Sequence, residues 1–86
     1  MAYKLLYSPK ALKILVKLAP DMAETIRQKM LTIAENPFGS HSGATKMQNS
    51  PCYRLRVSQW RVVYEIRQAE VIVLVVKIGL RKEVYR

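Results

Sequence analysis

Histidine and cysteine occur once each among the 86 residues, as His41 and Cys52. A single cysteine excludes an intramolecular disulfide, so the fold cannot depend on oxidation. One cysteine and one histidine fall short of the four ligands of a structural zinc site, and no metal or cofactor is expected. A histidine pair, the simplest device for moving protons in phosphodiester cleavage, is excluded as well. No apolar run is long enough for a membrane span: the longest, Val71 to Val76, compares with the roughly 20 residues a spanning helix needs. Met1 to Tyr7 contains Lys4 and soon meets Pro9, without an apolar core or a small-residue cleavage site, so no secretory leader and a cytoplasmic location are expected. Acidic side chains are also scarce. There are 6 against 15 basic ones, a net charge of +9. Such an excess favours nucleic acid, an anionic membrane surface or an acidic protein as partner. It is uneven: residues 1–45 hold six basic and three acidic side chains, residues 46–86 nine and three.

What is present is enough for one small core. The apolar fraction is 50%, which argues against disorder, and the length allows a single domain over residues 1–86. Ala2 to Tyr7 reads as a first strand. Ser8 is a suitable N-cap and Pro9 suits the first helical position, where a missing N–H costs nothing. Ala11, Leu12, Leu15 and Leu18 then form an apolar stripe, with Lys10, Lys13 and Lys17 opposite, until Pro20 ends the helix. Asp21 can cap a second helix, in which Met22, Ile26, Met30 and Ile33 recur at helical spacing before Asn36 and Pro37 stop it. Phe38 to Pro51, rich in Gly, Ser and Asn, reads as one long loop.

The remainder reads as strands. Tyr53 to Val57 alternates, with Tyr53, Leu55 and Val57 on one face and Arg54 and Arg56 on the other. Ser58–Gln59 is a tight connection. In Trp60 to Ile66, Arg61, Val63 and Glu65 share a face opposite Val62, Tyr64 and Ile66. After a turn at Arg67 to Glu70, the nearly all-apolar Val71 to Ile78 suits a central strand, broken by Gly79. A basic segment, Arg81 to Arg86, follows, with room for a short strand at Glu83 to Tyr85. The expected fold is α+β: two N-terminal helices on one face of a mainly antiparallel four-stranded sheet.

Arg54, Arg56, Arg61, Arg81 and Tyr85 stand out as candidate site residues. Guanidinium groups gathered on a sheet face repel one another and do nothing for a core; the arrangement makes sense where phosphates supply the anions. In RNA cleavage by a neighbouring 2′-hydroxyl, charge builds on the phosphorane, and fixed cations stabilise it selectively in the transition state. Arginine is a poor base. Tyr85, whose phenolate nearby arginines would favour, can take the proton or orient the 2′-hydroxyl by stacking. Glu65 is a second candidate base, or else a partner for Arg61. His41, Cys52 and Trp60 read as surface, inert and packing residues, and Tyr53 and Tyr64 as core.

Tyr53-Arg54-Leu55-Arg56-Val57 followed by Trp60-Arg61-Val62-Val63-Tyr64-Glu65-Ile66 resembles the central signature of the RelE/ParE toxin superfamily. Val75 to Tyr85 resembles its C-terminal signature, and Tyr3, Pro9, Ala11, Leu12 and Leu18 resemble its opening. The resemblance implies a RelE-like fold and the toxin half of a type II toxin–antitoxin pair. For the RelE branch it implies a metal-independent endoribonuclease, an mRNA interferase that cuts messenger RNA in the ribosomal A site. It puts the family's catalytic positions on Arg54, Arg56, Arg61, Arg81 and Tyr85. Its implied partners are the ribosome, the message and a cognate RelB-like antitoxin with an acidic or amphipathic segment, in a heterotetramer or larger complex. The sequence departs from the family in having arginines at 54 and 56, where relatives often have lysine, and Leu80, where many have histidine. It also shows no C-terminal helix for an antitoxin to displace. The ParE branch, which poisons DNA gyrase without nuclease activity, and a noncatalytic nucleic-acid-binding module are the alternatives.

Overall fold

The first strand and the last lie side by side. In the computed structural model, which describes residues 2–84, β1 (Lys4–Tyr7) runs parallel to β5 (Ile72–Leu80). Between them in sequence come α1 (Pro9–Leu15), α2 (Pro20–Glu35), β2 (Ala44–Lys46), β3 (Cys52–Val57), β4 (Trp60–Arg67) and a 3-10 turn, Gln68–Glu70. A helical turn, α3 (Arg81–Val84), follows β5. The sheet order is β1-β5-β4-β3-β2, with antiparallel pairing from β5 to β2.

The expected α+β architecture therefore needs correction. The sheet has five strands and is mixed, and a third short helix is present. The extra strand, β2, lies inside the segment expected to be loop. Its three residues, Ala-Thr-Lys, carry no apolar period and join the sheet through backbone pairing with β3. No hairpin links β1 to β5, so no local turn dictates antiparallel pairing there; the intervening helices set the direction. Gly79 does not break β5, and Arg81–Val84 is helical rather than extended. Pro20 begins α2 at its first turn instead of ending α1, and Ala19, not Asp21, is the N-cap residue.

Ser8 caps α1 as its side chain allows, accepting from the Ala11 N–H at 3.0 Å. The same hydroxyl donates to the Val76 carbonyl at 3.0 Å. Val76 is the extra residue of a β-bulge: Val63 pairs with Lys77, but Tyr64 pairs with Val75. The bulge reverses the facing of everything after it. Val73, Val75 and Ile78 are buried in the core. Lys77 and Gly79 sit in register with Val63 and Arg61 instead.

Both longer helices cover one sheet face. Ala11 and Leu15 of α1 join Ala23, Ile26, Met30 and Ile33 of α2 against Leu55, Val62, Tyr64, Val73 and Val75. Leu12, placed on the apolar stripe from its spacing, is exposed, and Met22 is only half-buried, because the buried face is centred on Ala11–Leu15 and on Ala23–Ile26. Among the described residues no helix is long and apolar enough to cross a membrane.

Tyr64 is the largest fully buried side chain and stacks on Tyr53, with ring centroids 5.4 Å apart. Burial pushes its phenol up to about 12, with a smaller contribution from Tyr53. The folded protein thus keeps a neutral phenol where the unfolded chain ionises near pH 10. Stability is complete below that value and is expected to fall by about 2–3 kcal/mol as pH rises toward 12. Urea unfolding across alkaline pH reads this loss, and Tyr64→Phe should flatten it.

Candidate functional site: an arginine pocket on the open sheet face

Strand pairing decides which side chains meet. Arg54 pairs with Val63 and with Thr45, and Arg56 pairs with Arg61. Directly paired residues point to the same face, so Thr45, Arg54, Arg56 and Arg61 all project from the face opposite the helices. Gly79 extends that row beyond Arg61. A β-carbon built on Gly79 would touch the side chains of Val84 and Glu83, at 3.4 and 3.6 Å, which puts α3 on this same face. Arg81, the first residue of α3, thereby reaches the others. Arg54, Arg56, Arg61 and Arg81 line one pocket of about 370 Å³ together with Gly43 and Thr45.

The arginines are not equally placed. Arg56 and Arg81 are exposed and Arg54 is half-buried. Arg61 is only 7% exposed and is the one buried charged residue among those described. Its Nη1 donates to the carbonyls of Ser58 and Trp60, both at 2.9 Å. The carbonyl between them, Gln59, accepts the Arg81 backbone N–H at 3.0 Å. Three consecutive carbonyls of the β3–β4 turn therefore fix one guanidinium and anchor the start of α3. Ser58 holds a left-handed φ of 54° to make this turn.

Among the described residues no carboxylate forms an ion pair with Arg61; its guanidinium is held by carbonyls alone. Glu65, considered as a base or as the partner of Arg61, pairs with Arg67 instead. Glu83 reaches back to the Leu80 N–H at 3.1 Å, closing a capping interaction at the start of α3. Arg56 and Arg61 oppose each other directly across two strands, an arrangement that costs stability. Tyr85 lies outside the described residues. Among those described, no cluster of His, Cys, Asp and Glu could hold a metal ion.

Sequence reading missed Gly43 and Thr45, because β2 was hidden in a polar segment. Gly43 has φ +81°, and its carbonyl accepts the Arg56 N–H at 2.9 Å. A β-carbon there would come within 3.1 Å of the Arg56 carbonyl. Gly43→Ala is expected to cost about 1–2 kcal/mol from the left-handed backbone alone and to displace the β2 edge of the pocket. A urea midpoint and an RNA-binding titration on the same sample check both effects.

Four guanidinium groups round an open recess mark this as a small basic α+β domain whose site has the chemistry to suit a phosphate, and comparison with known proteins gives it a lineage. The family model described as "ParE toxin of type II toxin-antitoxin system, parDE" matches residues 5–85. The mRNA interferase toxin RelE of Escherichia coli is 36% identical over 90 residues, covering 99% of this chain and 92% of that protein. Among solved structures, a mutant of E. coli toxin RelE in the free state superposes with a TM-score of 0.84 at 30% identity, covering 99% of this chain and 92% of the other. The toxin in the intact E. coli RelBE toxin–antitoxin complex gives 0.80 at 28% identity, covering 92% and 96%. The chain belongs to the RelE/ParE toxin superfamily, on its RelE branch.

Proposed function

We propose that this protein is the toxin of a type II toxin–antitoxin pair and acts in the cytoplasm as a ribosome-dependent endoribonuclease on messenger RNA in the A site. The observation that carries the reading is the pocket that gathers Arg54, Arg56, Arg61 and Arg81 on the open sheet face. In the proposed reaction the 2′-oxygen attacks the adjacent phosphorus and the bond to the 5′-oxygen breaks. The leaving 5′-oxygen takes a proton from solvent, and the products are a 2′,3′-cyclic phosphate and a 5′-hydroxyl. Arg61, whose guanidinium two carbonyls hold, and Arg81, whose backbone amide is anchored at the edge of the pocket, supply positive charge where the phosphorane gains negative charge. Arg54 and Arg56 hold the flanking phosphate oxygens by bidentate hydrogen bonds. Tyr85, next along the chain from α3, takes the 2′-proton or orients the 2′-hydroxyl. The 36% identity to an mRNA interferase supports the nuclease reading. The relatives solved as RelB–RelE complexes support a RelB-like antitoxin as partner.

The ParE description of the matching family model favours a second reading, a gyrase poison without nuclease activity. Toeprinting on programmed ribosomes separates the two. The nuclease reading expects a new cut in the A-site codon that appears only with ribosomes present. No cut, together with accumulated gyrase–DNA cleavage complexes, would transfer the protein to the second reading.

A further inference from the structure

A second recess opens beside the arginine pocket and shares Arg54 with it. It has a volume of about 430 Å³ and is lined by Lys46, Met47, Gln48 and Arg54. The tip of the β2–β3 hairpin forms it, and that tip is tightly held. The Met47 N–H donates to the Cys52 carbonyl at 2.9 Å, and the Cys52 N–H donates to Ser50 Oγ at 3.1 Å. The Lys46 ammonium donates to the Ser50 carbonyl at 2.8 Å, and Asn49 takes the left-handed turn position with φ 59°. These bonds preorganise the loop before any ligand arrives.

The chemistry of the second recess differs from that of the first. Its lysine ammonium directs one of its three N–H donors to the Ser50 carbonyl and, with Arg54, leaves positive charge at the side of the recess nearest the arginine pocket. Toward the tip, away from those cations, the recess offers a polarizable thioether and an exposed carboxamide. A thioether is polarizable and makes favourable contacts with aromatic rings. A carboxamide donates and accepts at once, which is what the edge of a base needs and a phosphate does not. Single-stranded RNA is read in this way, by contact with the base face and hydrogen bonds to its edge.

We propose that this recess is a base-reading subsite for the nucleotide next to the scissile phosphate, with Gln48 as specificity determinant and Met47 as the platform under the base. The proposal rests on the nuclease reading for the word scissile, but the subsite can be tested without turnover. Wild type, Gln48→Ala and Met47→Ala would be titrated with short single-stranded RNAs of equal length that differ at one base. Both positions are on a surface hairpin, and unchanged unfolding midpoints would confirm that the fold is kept. Wild type should rank the RNAs by base. Gln48→Ala should shrink the best-to-worst affinity ratio by roughly tenfold. Met47→Ala should weaken all the RNAs by roughly fivefold while leaving their order intact. Equal ranking by wild type and Gln48→Ala would overturn the proposal, as would a wild type that does not discriminate at all. The same variants on programmed ribosomes give the second readout. If wild type cuts nothing there but Gln48→Ala still erases base ranking in the titration, the nuclease reading fails and the subsite stands.

Discussion

Arg81→Ala is expected to slow A-site cleavage by roughly two to three orders of magnitude in a single-turnover assay, the usual loss when one preorganised donor to a developing oxyanion is removed. The effect should fall on the chemical step. Three other arginines remain to hold the RNA, so binding should weaken only by the modest amount one phosphate contact supplies. Stability should barely change, because the side chain is exposed. The anchoring bond to Gln59 comes from the Arg81 backbone N–H, which alanine keeps. A loss of cutting matched by an equal loss of binding would make Arg81 a docking residue only. Quenched-flow cleavage alongside an equilibrium titration distinguishes these outcomes.

Arg61→Leu should abolish cutting to a similar degree, about 10²–10³-fold, yet leave the unfolding free energy within about 1 kcal/mol of wild type. Arg61 differs in this from an ordinary buried residue. Arg61 is 7% exposed and faces Arg56 directly across the strands, with no carboxylate beside it among the described residues. Removing a buried charge of this kind relieves repulsion and desolvation, and leucine fills much of the same volume. The cost is that the Ser58 and Trp60 carbonyls lose a donor, and turn carbonyls can turn to water instead. Chemical denaturation paired with the cleavage rate checks both halves. A fall of several kcal/mol would show that Arg61 is there for the fold.

The sequence was informative where local chemistry decides. Ser8 and Pro9 marked the start of α1 because capping and proline geometry act within one turn. Alternation fixed the two faces of β3, and the two residues between Val57 and Trp60 made β4 its antiparallel neighbour. Those two facts alone put Arg54, Arg56 and Arg61 on a common face. Non-local features stayed hidden. Three residues of β2 have no period to detect. The direction of β1 is set by helices that span the sheet, not by a turn. The bulge at Val76 lies in a run of apolar residues where either facing looks equally good, yet it decides that Gly79 lies under α3. Nothing in Trp60-Arg61-Val62 announces that the arginine is buried and tied to the turn before it.

The pairing of β1 with β5 also has a meaning in time. During synthesis β1 emerges well before its partner, while β4 waits for the same strand on its other side. The sheet cannot close, and Arg81 cannot reach the other arginines, until β5 and α3 have left the ribosome. Pairings so distant along the chain also form slowly. The arginine pocket is therefore completed only when the first and fifth strands have met, so the shape of the recess reports on closure of the whole sheet.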